Sequence, residues 1–390
     1  MMVRVGIVGL GKMGISHQAI LGANPGVEVV GVCDSNGYLL GVLHKYTGTP
    51  VYNRLETMLD EAHLDALVIA TPSRLHASMV ETAIDRGVHI FCEKPFCLSS
   101  ADSRRLADAA AKKRLVTQVG YHNRFVGAFG EVKRLLDRKV IGNVSHVLAE
   151  AYGPVVLRQS GGTWRSKKDE GGGCLYDYAA HPINLVNWYL GAPQGVGGTV
   201  LNRVFSAEID DEVSSTLYFD AGTTAQVSVN WSDESVRKMT TRLTLWGTRG
   251  RIFADRQECQ VYLRDPAEHQ NHLPDPYRPG WNVKYTTELT QPVGFYLRGE
   301  EYSAELDYFI ERCVSGANDG ENSFSSAAVT DRTLEAMIAD ARGAAITPYD
   351  PAGSIDPAVG QDQMPNGQTS RRPAERQNLI SQLTRRLIHR

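Results

Sequence analysis

Short apolar runs alternate with amphipathic stretches over the first third of the chain. Residues 3–8, 27–33, 66–70, 89–92 and 115–119 read as strands, and residues 13–22, 38–46, 55–61, 76–86 and 99–112 carry helical patterning. The last helix opens on Ser99-Ser100-Ala101-Asp102, a capping box with an acid in place of the usual Glu. Such alternation predicts an α/β fold, a doubly wound parallel sheet with helices on both faces and ligands bound beyond the strand carboxyl ends.

The pattern changes after Tyr121. A helix is predicted over 128–139 and a strand over 144–152. A Gly-, Lys- and Arg-rich loop over 153–173 precedes a helix over 176–190 that stops at Gly191. Strands then dominate at 212–219, 223–231, 242–246, 251–254 and 260–264, with hairpin turns at 220–222 and 247–250. This predicts an α+β domain built on a large, mostly antiparallel open sheet. One face would pack on helices, and the other would be a natural subunit contact. Residues 269–292 are polar and proline-rich and read as a long loop; helices return at 299–314 and 325–341. The expected domains are 1–122, 123–346 and a tail over 347–390. Within the tail, 348–376 reads as a disordered linker. Over 377–390, Leu379, Ile380, Leu383, Leu387 and Ile388 share a helical face beside Arg385, Arg386 and Arg390. That stretch is either a weakly formed helix or a segment that docks on a neighbouring subunit or an anionic surface.

Composition narrows the functional classes. The chain has 390 residues, 42% hydrophobic and 22% charged, with a net charge of −3, which argues for neither a nucleic-acid nor a membrane partner. No apolar stretch approaches the ~20 residues of a membrane span, and the first strand begins at once, so no signal peptide is expected. None of the six cysteines forms a C-x-x-C pair, so no metal site is expected. Cys33 and Cys92 lie in apolar strands and are expected to be buried thiols, which suits a cytoplasmic protein.

Candidate chemistry starts at the first strand. Gly9, Gly11 and Gly14 form G-x-G-x-x-G between a strand and a helix, and Asp34 ends the next strand 20 residues past Gly14. This is the spacing of a dinucleotide-binding βαβ unit. Phosphates would sit at the helix N-terminus beside Lys12 and Met13. A carboxylate at Asp34 accepts both ribose hydroxyls and repels a 2′-phosphate, so NAD is expected over NADP. Thr71, Pro72 and Ser73 follow a strand and should run beneath the cofactor, with His76 opening the next helix. Glu93-Lys94-Pro95 ends another strand on the same edge. The Lys94 ammonium there is placed to hydrogen-bond a substrate hydroxyl. Three glycines, Gly171 to Gly173, precede Asp177 and His181, whose i, i+4 spacing puts them on one helical face. His181 suits proton transfer near neutrality; Asp177 would bind a substrate hydroxyl or orient the histidine, and a purely structural Asp–His pair has the same spacing. Tyr121, Asn123, Arg124, Trp164 and Arg165 are the candidate substrate contacts. Arg124, Arg158, Arg165, Lys167 and Lys168 together lean towards a phosphate-bearing substrate.

Taken in order, G-L-G-K-M-G, Asp34, A-T-P-S-x-x-H, E-K-P, G-Y-H-N-R-F and G-G-G-x-x-x-D-x-x-x-H make the chain resemble the Gfo/Idh/MocA family over about residues 1 to 345. Two positions depart from the family pattern: Ala179 stands where Gly is usual, and Ser73 where Asn is frequent. The resemblance implies a catalytic set of Lys94, Asp177 and His181, frequent homodimers or homotetramers, and hydride transfer between NAD and a secondary hydroxyl of a sugar, cyclitol or nucleotide sugar. On the same scaffold, an NAD-recycling glycoside hydrolase and a non-catalytic NAD-binding regulator are the alternatives.

Overall fold

The computed structural model describes residues 2–157, 164–264 and 276–343. Its first sheet is formed by β1 (Val3–Val8), β2 (Val27–Cys33), β3 (Val51–Tyr52), β4 (Ala66–Ile69), β5 (His89–Cys92) and β6 (Thr117–Val119). All pairings are parallel, in the order β3-β2-β1-β4-β5-β6. The helices between them are α1 (Lys12–Ala23), α2 (Gly37–Thr47), α3 (Leu55–Glu61), α4 (His76–Arg86) and α5 (Ser100–Lys112). Strand order reverses between β1 and β4, which opens a crevice beyond their carboxyl ends. The central strands are buried on both faces. In β4, Leu67 and Ile69 enter one core while Ala66 and Val68 enter another. Ser99 caps α5 by accepting from Asp102 N.

After α6 (Gly127–Asp137) the chain builds a second sheet from β7 (Val144–Tyr152), β8 (Gly195–Asn202), β9 (Glu212–Tyr218), β10 (Thr224–Asn230), β11 (Arg242–Gly247), β12 (Gly250–Ala254), β13 (Glu258–Leu263) and β14 (Gly280–Tyr285). The order is β14-β13-β12-β11-β7-β10-β9-β8, antiparallel except where β7 pairs with β10. Val147, Ala149, Val227, Leu245 and Val261 point to the buried face, which packs on α6, α7 (Ala180–Leu190) and α10 (Phe324–Gly343). Tyr218, Tyr262, Trp281, Val283 and Tyr285 remain exposed.

Four elements differ from the sequence reading. Part of the expected loop over 269–292 forms β14 and a short helix, α8 (Thr286–Leu289); Trp281, Val283 and Tyr285 alternate with Asn282 and Lys284, a strand period hidden in a polar context. The glycine-rich β8 is a strand because it pairs with β9 across an irregularity at Gly197/Val200, and tertiary pairing overrides its weak propensity. The two-residue β3 is too short to leave a pattern. Residues 348–376 and 377–390 lie outside the described residues.

The last helices return to the first sheet. Leu306, Phe309 and Ile310 of α9 (Glu300–Ser315) share a core with Val5, Ile7 and Phe91, and the Phe91 and Phe309 rings lie 5.8 Å apart. Val119 N donates to the Asn322 carbonyl at 2.8 Å, and Asp331 of α10 accepts from Cys97 N and Ser103 Oγ.

Candidate active site

A cleft of about 2040 Å³ runs along the carboxyl edge of the first sheet and on towards the second sheet. One end is shaped by the glycine turn. Gly9 has φ +96°, and a Cβ there would lie 2.6 Å from the Ala70 carbonyl oxygen. A Cβ at Gly14 would lie 1.7 Å from the Gly9 carbonyl oxygen, so only glycine lets α1 start this close to β1. Gly11 faces open space at the helix N-terminus. Asp34 Oδ2 accepts from Leu10 N at 2.6 Å and Oδ1 from Asn36 N at 2.7 Å, which locks the glycine turn to the end of β2. Open space before unpaired helical N–H groups, with a carboxylate at its rim, fits a dinucleotide whose adenosine ribose carries no 2′-phosphate. Lys12, Met13, Thr71, Pro72 and Ser73 also line the cleft.

Farther along, the turn after β5 carries Glu93 and Lys94, and the Lys94–Pro95 peptide is cis. Lys94 Nζ donates to Asp177 Oδ1 at 2.7 Å and to the Asp177 carbonyl at 2.9 Å. Arg165 Nε donates to the other carboxylate oxygen at 2.7 Å. Burial alone would raise the Asp177 carboxyl, but the Lys94 and Arg165 charges outweigh it and hold the group below the usual carboxylate range. Asp177 sits in a π-helical turn, Leu175–Ala179, which runs into α7. Asp177 pairs with the two cations, and both Asp177 and His181 line the cleft. His181 lines the cleft with its Nδ1 buried and unpartnered. Burial, then the charges of Lys94 and Arg256, push it well below the ordinary histidine range. Glu93 bonds His17 Nε2 at 2.7 Å; burial raises its carboxyl, yet His17 and Lys94 bring it below the usual range.

Residues 3–121 match the family described as "Oxidoreductase family, NAD-binding Rossmann fold", and residues 129–253 match "GFO/IDH/MocA C-terminal domain". The chain belongs to the Gfo/Idh/MocA family of NAD-binding oxidoreductases. Its relatives include the scyllo-inositol 2-dehydrogenase (NAD(+)) of Bacillus subtilis, 27% identical over 300 residues, covering 74% of this chain and 84% of the relative. The inositol 2-dehydrogenase of Rhizobium meliloti is 25% identical over 351 residues, covering 86% and 97%. Among solved structures, levoglucosan dehydrogenase in complex with NADH and levoglucosan superposes with a TM-score of 0.77 at 22% identity, covering 88% of this chain and 98% of that one. The WlbA dehydrogenase from Bordetella pertussis, in complex with NADH and UDP-GlcNAcA, gives 0.74 at 21% identity, covering 87% and 96%.

Within this family frame, some residues named from sequence lie off the cleft. His76 is fully buried, its ring nitrogens 2.8 Å from the Pro95 carbonyl oxygen and 3.0 Å from the Thr71 carbonyl oxygen, so it braces two cleft turns from behind. Gly14 acts through packing alone. Tyr121, Asn123 and Arg124 are buried behind the wall: Asn123 donates to Thr241, and Arg124 bonds Asn184 and Glu321 over the Trp188 ring. Their turn instead presents His122 to the cleft, stacked on Tyr302 at 4.5 Å. Sequence reasoning placed His122 inside a motif but weighted its neighbours, because the four-residue turn His122–Phe125 leaves no periodicity to say which side chain lines the cleft. Arg256, paired with Glu301, also lines the cleft and was not anticipated. Lys167 and Lys168 line a shallow surface dip away from it, with Lys167 paired to Glu170. Arg158 and the side chain of Trp164 lie outside the described residues. Among the described residues of this group, Arg165 lines the cleft and Arg124, Lys167 and Lys168 do not. Among the described residues no helix is long and apolar enough to cross a membrane, and no cluster of His, Cys, Asp or Glu is arranged to hold a metal ion.

Proposed function

We propose that this oxidoreductase moves hydride between NAD and a secondary hydroxyl of a sugar-like substrate, a free sugar, cyclitol or nucleotide sugar. One observation carries the reading. Lys94 spends two of its three N–H donors on Asp177 and has one left beside a deeply buried, neutral His181. Bound NAD supplies the hydride acceptor. Lys94 donates to the substrate hydroxyl oxygen and stabilises negative charge growing there as the O–H bond breaks. His181, with Nδ1 buried, offers Nε2 as the acceptor of that proton. Asp177 fixes the ammonium in place and keeps its charge from being stranded in a desolvated site. The named relatives and structures that act on inositols, levoglucosan and a nucleotide sugar support the substrate class. The exposed aromatic face of the second sheet supports a homo-oligomer, and the buried free thiols support a reducing, cytoplasmic setting.

The test is a panel of cyclitols, sugars and nucleotide sugars incubated with NAD. Steady NADH formation with a member of the panel is expected. Product formed without net NADH would instead favour an enzyme that oxidises and then re-reduces its substrate.

A further inference from the structure

The cofactor end of the cleft is reached by a cation from far along the chain. α9 runs beside α1 and in the same direction. Tyr302 in its first turn stacks on His122, just past the end of β6, at 4.5 Å. Arg312 near its other end donates through Nη1 to the Thr117 carbonyl, at the start of β6, at 3.1 Å. The N-terminus of α9 therefore faces the carboxyl edge of the sheet, where α1 also begins. Asn24, which caps the C-terminus of α1, donates to Asp307 Oδ1 at 2.6 Å and fixes the offset of the two helices. Counting back from that bond, Lys12 lies ~18 Å along α1. Arg298 lies up to ~17 Å back along α9 and the two residues before it. Arg298 thus stands level with Lys12, at the helix N-terminus where Gly11 faces open space, and both line the cleft. Their charges oppose each other: Arg298 first, then burial, then Arg165 and Lys238 hold the Lys12 ammonium below the ordinary lysine range.

The backbone of Arg298 is strained. Its φ is +71°, in the left-handed region, which a non-glycine residue occupies only where its surroundings impose it. The guanidinium carbon lies 5.3 Å over the Tyr302 ring. Stacking occupies the face of the guanidinium and leaves its N–H edge for a planar, two-point contact with anionic oxygens. Arg256, the other arginine near Tyr302, is neutralised by Glu301. Among the described residues no carboxylate pairs with Arg298. Two cations held side by side with no carboxylate between them make a site for an anion. The pyrophosphate is the doubly negative part of NAD, whereas its oxidised nicotinamide is positive and repels a guanidinium.

We propose that Arg298 clamps the pyrophosphate of bound NAD, donating to its oxygens beside Lys12. Such a clamp needs NAD alone, whatever the second substrate is. It gives the last third of the chain a hold on a cofactor that the glycine turn otherwise carries through backbone.

The experiment uses the full-length chain as wild type, R298G and R298Q. Glycine suits the left-handed backbone, so R298G removes the guanidinium and relieves the strain, while R298Q removes the charge and keeps the strain. Both variants are expected to bind NAD and ADP-ribose about tenfold more weakly by calorimetric titration, with adenosine, which has no phosphate, within about twofold of wild type by NMR titration. The urea midpoint of R298G without ligand should equal or exceed that of wild type. Added NaCl should weaken NAD binding more in wild type than in either variant. Unchanged affinity for NAD and ADP-ribose would overturn the assignment; a raised KM for a charged member of the sugar panel would then give Arg298 to the substrate. Adenosine weakened as much as NAD, or a lowered R298G midpoint, would make Arg298 a structural residue and overturn it as well. The binding arms need no sugar. A panel that forms no NADH therefore defeats the dehydrogenase reading and leaves the clamp standing.

Discussion

The two ends of the cleft are built from opposite materials. The cofactor end is backbone: glycines without side chains, helical N–H groups, and a single carboxylate that ties the turn to its neighbouring strand. The proton-handling end is charge taken out of water: Asp177 between Lys94 and Arg165, with His181 and His122 buried beside them. The first end depends on close approach and tolerates no added Cβ at Gly14. The second depends on balance, since removing one charge strands another. Each end should therefore fail separately.

The largest effect should come from Lys94→Ala, which removes the free donor and leaves the glycine turn intact. Turnover with the panel substrate is expected to fall by about a thousandfold, with the Kd for NAD unchanged. Comparable loss of NAD binding would show that the two ends are not independent. Gly14→Ala is the reverse case. A Cβ 1.7 Å from the Gly9 carbonyl forces the turn apart. A loss of about 2 kcal/mol in urea denaturation is expected, together with weaker NAD binding measured by titration. Asp34→Ala sharpens the cofactor end further: the ratio of NAD to NADP affinity should fall by about tenfold, the size of one charge-assisted contact.

The smallest effect is one of pH. His181 is depressed, so it stays neutral below the ordinary histidine range. Sugar oxidation should therefore hold its rate down to pH 6.5, where an unperturbed base with a pKa near 6.5 would be about half protonated. A rate already halved at pH 6.5 would remove His181 from the role. The same sign governs stability. His76, His122 and His181 are all depressed, chiefly by burial, so the unfolded chain takes up protons first. Their contribution is complete above about pH 6.5 and is lost as pH falls below it, which denaturation midpoints at two pH values would show.

The cofactor end was legible residue by residue because its signals are local. Gly9, Gly11, Gly14 and Asp34 owe their roles to spacing along one βαβ unit. The other end brings residue 94 to residue 177, and no periodicity reports such a meeting; the family resemblance named Lys94, Asp177 and His181 where spacing alone favoured a structural Asp–His pair. Their arrangement stayed hidden, because no local spacing reports that Asp177 pairs with Lys94 and Arg165. The turn at 121–125 shows the same limit. Its composition marked it as a cleft residue cluster, yet Tyr121, Asn123 and Arg124 lie behind the wall while the buried His122 lines the cleft. The long-range pairing of β8 with β9 and the return of α9 to the first sheet depend on partners distant in the chain.

That return has a consequence for how the protein is made. Val5, Ile7 and Phe91 are covered by Leu306, Phe309 and Ile310, which leave the ribosome some two hundred residues after Phe91. During synthesis the nascent first sheet emerges with one apolar face uncovered, and it waits, sticky and unfinished, until the last helices arrive. A messenger truncated anywhere before α9 would therefore release a binding fold that never closes on itself, a ready client for chaperones and not a free-standing NAD-binding module.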